Sequence, residues 1–82
     1  MRLPRDVDGE DLIRRLRRRG YHVTRQMGSH VRLTATVRGQ THHVTIPLHR
    51  PLRVGTLRAI LNMVANQLGI ERDTLVRELF GR

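Results

Sequence analysis

A chain of 82 residues with 38% hydrophobic content has room for one small domain and a modest core. It contains no cysteine, which excludes a disulfide framework and a thiolate metal site, and its formal net charge is +9. No apolar run approaches the ~20 residues that span a bilayer, and Pro4, Arg5, Asp6 and Asp8 break any early one, so a cytoplasmic protein without a secretory signal is expected.

Residues 1–7 read as a short arm. Asp8 is placed to N-cap a helix, with Asp11 three residues on imitating a capping box. Leu12, Ile13 and Leu16 recur at helical spacing, and Gly20 is a natural stop. Arg14, Arg15, Arg17, Arg18 and Arg19 fill most of the remaining surface, where like charges repel and an anionic partner relieves the strain. Tyr21 to Gln26 reads as a strand with Tyr21 and Val23 on one face. Met27, Gly28 and Ser29 form a turn.

The next strand, His30 to Val37, alternates cleanly. Val31, Leu33, Ala35 and Val37 face one way, and His30, Arg32, Thr34 and Thr36 the other. That parity puts His30 and Arg32 together on the side away from the core. After a turn at Arg38-Gly39-Gln40, a third strand from Thr41 to Pro47 points Val44 and Ile46 inward and His43 and Thr45 outward, with His42 at the edge of the core. Leu48 to Pro51 is a loop carrying His49 and Arg50. A helix starting near Val54–Thr56 carries the stripe Leu57, Ile60, Leu61, Val64 and Leu68, and Gly69 ends it. A short last helix covers about Asp73 to Leu79, with Leu75, Val76 and Leu79 as its apolar side. The expected fold is α+β: a two-layer α-β-β-β-α sandwich with one sheet face on the helices, the other free, and a short extra C-terminal helix.

Charge is distributed unevenly along these elements. All seven Asp and Glu residues lie in two terminal blocks, while residues 12–70 carry eleven arginines and no carboxylate. The central segment is therefore +11, a surface that attracts a polyanion. All sixteen Lys and Arg positions are arginine. Guanidinium binds phosphate in a bidentate way, although a GC-rich genome gives the same bias. Tyr21 and Phe80 are the only aromatics, too few for a base-stacking platform of the OB or RRM kind, which favours recognition of phosphates and helical shape.

Within the basic segment, His30 is the candidate for proton transfer, since a histidine exchanges protons near neutral pH. Gly28 lets the backbone approach a ligand, and Ser29 offers a hydrogen bond to phosphate. A metal site is not expected. His42 and His43 are adjacent in a strand and so diverge, and no carboxylate lies near them in sequence.

Three blocks, Gly28-Ser29-His30-Val31-Arg32-Leu33, Val44-Thr45-Ile46-Pro47-Leu48-His49 and Gly55-Thr56-Leu57-Arg58-Ala59-Ile60-Leu61, resemble in order and spacing the HicA toxins of bacterial toxin–antitoxin pairs. The likeness covers about residues 9–70 of a single domain spanning 1–82, with 71–82 as a C-terminal extension. The resemblance implies a fold similar to the double-stranded RNA-binding domain. It also implies an mRNA interferase: a metal-independent endoribonuclease that needs no cofactor and acts on mRNA rather than on DNA by itself. Its functional histidine carries over to His30, and a HicB-type antitoxin is expected to cover that surface. The chain departs from the family where Met27 stands before Gly28 in place of a basic residue, and in its longer C-terminal segment.

On this reading His30 is the general base or acid, and Arg32 and Arg25 hold the phosphate, with Gly28, Ser29 and Arg50 completing the substrate-binding set. The second proton-transfer group is His49 or His43. The rival is a non-catalytic double-stranded RNA-binding module with the same fold and charge.

Overall fold

A computed structural model describes residues 2–81, so the first residue of the arm and the last of the C-terminal extension lie outside the described residues. The elements run α1 (Gly9–Arg18), β1 (His22–Met27), β2 (His30–Val37), β3 (Gln40–Pro47), α2 (Val54–Leu68) and α3 (Arg72–Phe80). This is the expected α-β-β-β-α order with a further helix. The strands form one antiparallel sheet in the order β1-β2-β3, and both connections are two-residue hairpins. Arg38 and Gly39 both have positive φ (52° and 78°), the signature of a type I′ turn whose twist matches the flanking strands.

The inward residues of β2 and β3 (Val31, Leu33, Ala35, Val44 and Ile46) are buried with Leu12 and Leu16 of α1. The α2 stripe of Leu57, Ile60, Leu61, Val64 and Leu68 joins the same core, as do Leu75, Val76 and Leu79 of α3. Gly69 adopts the left-handed conformation that closes α2. His42 is half-buried opposite Ala35, at the core's edge.

Four local expectations are corrected. Asp8 sits at the N-cap in extended conformation, but its carboxylate makes no capping bond. Asp11 does not complete a capping box either: its carboxylate accepts from Arg14 and, at 2.9 Å, from Arg15 Nε. Two guanidinium groups at i+3 and i+4 outcompete a backbone N–H, because a hydrogen bond between two charged groups is the stronger one. Tyr21 precedes β1 rather than opening it, yet is only 1% exposed. Val23 is not in the core at all: it is 44% exposed, and every residue of β1 is exposed. It shares a face with Leu33, but β1 is an edge strand that reaches past the cover of the helices.

The arginine run of α1 is only partly left to solvent. Arg15 also donates to the Leu79 carbonyl at 2.7 Å and lies over the Phe80 ring, and Arg19 Nε reaches Glu78 Oε2 at 2.7 Å. The extra helix is thereby tied to α1, and its carboxylate relieves part of the crowding. Arg17 and Arg18 keep no carboxylate partner among the described residues.

Two polar ties fix the sheet against the helices. The Tyr21 hydroxyl donates to Gln67 Oε1 at 2.6 Å, and Gln67 Nε2 donates to the His43 carbonyl at 2.8 Å. Burial raises the Tyr21 phenol above its usual range, and the Arg19 charge pulls it partly back, so the hydroxyl remains a protonated donor at neutral pH. At the other end, Gly9 N–H donates to His49 O at 3.0 Å. A Cβ on Gly9 would stand 2.1 Å from the Pro47 carbonyl oxygen, so only glycine lets α1 start this close to the exit of β3.

Candidate nucleic-acid interface

The β1–β2 turn sets the position of His30. Gly28 has φ +57° and Ser29 does not have positive φ, which fits a type II′ hairpin with glycine at its first central position. His30 is therefore the first residue of β2, exposed and opposite Met27 on one side and Pro47 on the other. Leu48 N–H donates to the Ser29 carbonyl at 2.7 Å and brings the following loop, with His49, to the same end of the sheet. The Ser29 hydroxyl has no partner among the described residues.

Arg25 reaches the site through an irregularity. Counting alternately from Val23, which pairs with Leu33, puts Arg25 on the helix side of the sheet. A bulge at Thr24 shifts the register, so that Arg25 pairs with Arg32 and shares its open face. The Thr24 hydroxyl holds the bulge by bonding Thr34 Oγ1 at 2.7 Å. Thr34 Oγ1 in turn lies 2.9 Å from His43 Nδ1, so a hydrogen-bonded chain crosses all three strands.

Arg25, Met27, His30, Arg32 and Thr45 line a shallow depression of about 200 Å³. Met27, 63% exposed, supplies an apolar wall. Arg32 is half-buried and its Nε is fully shielded without a hydrogen-bond partner. An unpaired buried donor on a charged group is costly.

The candidate residues are not all gathered here. Arg25, His30 and Arg32 converge, with Gly28 and Ser29 forming the adjoining turn. Arg50 does not line the depression; it sits on the loop after β3, exposed and 3.4 Å from Glu10 Oε1. His43 is on the same face but opposite Thr34, four residues along β2 from His30, or roughly 13 Å at strand rise. Thr45, directly opposite Arg32, had only its outward parity to recommend it.

Among the described residues no group of three or more His, Asp or Glu side chains is placed to hold a metal ion, and no helix is long and apolar enough to cross a membrane. In comparisons with known proteins, the family model described as the HicA toxin of bacterial toxin–antitoxin matches residues 9–70. No curated protein and no solved structure matches the chain.

Proposed function

The chain belongs to the HicA toxin family of bacterial toxin–antitoxin systems, and from that premise we propose that it is a metal-independent endoribonuclease that cleaves mRNA on the open face of its sheet. One observation carries the proposal: His30 shares a depression with Arg25 and Arg32. The imidazole of His30 takes the proton of a ribose 2′-hydroxyl as its oxygen attacks the neighbouring phosphorus. Arg25 and Arg32 hold the non-bridging oxygens and stabilise the charge they gain in the transition state. The departing 5′-oxygen needs a proton. His49 is the better placed donor, because its loop is bonded to Ser29, whereas His43 is too distant for the same phosphodiester and is engaged by Thr34.

Membership of the family brings a cognate antitoxin as partner. A HicB-type protein that buries the His30 face would silence the toxin by excluding RNA from the depression, without any change in the toxin's own fold.

The proposal is tested with purified protein and an mRNA substrate. Cleavage should proceed at the same rate with and without excess EDTA, since the proton transfers are assigned to imidazole and charge stabilisation to guanidinium. Loss of cleavage in EDTA, with recovery on adding Mg²⁺ or Mn²⁺, would show that the terminal carboxylates act as ligands and that this mechanism is wrong.

A further inference from the structure

A second basic concavity lies away from the sheet, and none of its lining residues belongs to a strand. The N-terminal arm, the loop before α2, the first turns of α2 and the start of α3 enclose a cleft of about 470 Å³. Four arginines reach it from three separate parts of the chain: Arg2 and Arg5 from the arm, Arg58 from α2 and Arg72 from α3. Its one carboxylate among the described residues is Asp6, and the buried side chains of Leu52 and Leu57 form its floor.

Two features set this cleft apart from a merely solvated basic surface. The first is pairing. Arg14, Arg15, Arg19 and Arg50 are each paired with a carboxylate elsewhere on the molecule. Arg2, Arg5, Arg58 and Arg72 have no carboxylate partner among the described residues, although they share one concave site. The second is the path of the arm. Asp6 has φ +57°, a left-handed conformation that a non-glycine residue adopts at a cost. The bend is followed at once by Val7, which is buried and accepts the Leu52 N–H at 2.8 Å. The fold thus keeps Arg2 and Arg5 beside Arg58 and Arg72 in spite of their mutual repulsion.

We infer that this cleft is a second phosphate-binding site, which takes the backbone of the RNA strand outside the segment held at His30. The inference rests on the proposed ribonuclease function. Guanidinium groups from three elements offer bidentate contacts to successive phosphates, and the shallow apolar floor accommodates sugar or base without reading sequence. The site therefore adds affinity and orientation, and leaves the reacting atoms to the sheet.

The test uses the full chain and a 2′-O-methylated RNA of about twenty nucleotides, which lacks the nucleophile and so reports binding alone, titrated over a range of salt. The triple variant Arg5→Ala, Arg58→Ala, Arg72→Ala should bind about tenfold or more weakly, with a log–log salt slope shallower by about 2, at roughly 0.7 per lost phosphate contact. The single charge reversal Arg58→Glu, at an exposed helix position, should move both quantities the same way and decides the matter if the triple variant melts early. Unchanged affinity and slope in a folded variant overturn the cleft and leave the ribonuclease reading intact. Failure of the parent protein to bind RNA at all overturns both. Retained RNA binding with lost binding of a poly-glutamate peptide would assign the cleft to an acidic protein segment and overturn the nucleic-acid assignment.

Discussion

His30→Ala should lower RNA cleavage on the order of 10²–10⁴-fold, the range expected for loss of a general acid or base. The fold should hardly register the change. His30 is exposed at the start of β2 and contributes nothing to the core, so unfolding free energy should move by less than about 1 kcal/mol. Thermal melts and cleavage measured on one preparation separate the two effects. A folded His30→Ala protein that cleaves at the parental rate removes His30 from the mechanism. If the parent binds double-stranded RNA tightly and never cleaves, the non-catalytic module is the better description.

Gly9→Ala should be the most damaging small substitution for stability. The added methyl would meet the Pro47 carbonyl oxygen at 2.1 Å and the Leu48 Cα at 3.0 Å, both backbone atoms with no rotamer to yield. Either α1 shifts or the exit of β3 does, and overpacking of this kind costs about 2–3 kcal/mol. The Gly9 N–H to His49 carbonyl bond would strain with it, and through His49 the loop beside His30. The expected result is a lowered urea midpoint with an unchanged m value. An unaltered midpoint would show that the helix start gives way freely, and that the close approach matters little.

Much of this architecture was legible in the residues. Strict alternation in β2 and the α2 stripe each left one face apolar, so burial had only one solution there. The open-face position of His30 follows from the same alternation. What stayed hidden involves contacts between distant segments. Thr24 carries no mark of a bulge, because the bulge exists only relative to β2, and the placement of Arg25 depends on it. Val23 has the composition of a core residue and misses the core because no helix extends over β1. Asp11 spelled a capping box, but the arginines that claim it read as surface charge. Gly9 carried no signal of its own in the sequence; its reason is the carbonyl of Pro47, thirty-eight positions away.

The amide of Gln67 has a consequence for how the molecule behaves in company. β3 is the last strand of an open sheet, and its outer backbone groups are a template on which a second chain's strand would align. Gln67 occupies the acceptor of His43 near the middle of that strand, and Tyr21 holds the amide in orientation by taking its other end. An incoming strand must therefore displace a side chain that is itself anchored from across the sheet. Together with the repulsion between two molecules of charge +9, this opposes the stacking of copies along the β3 edge.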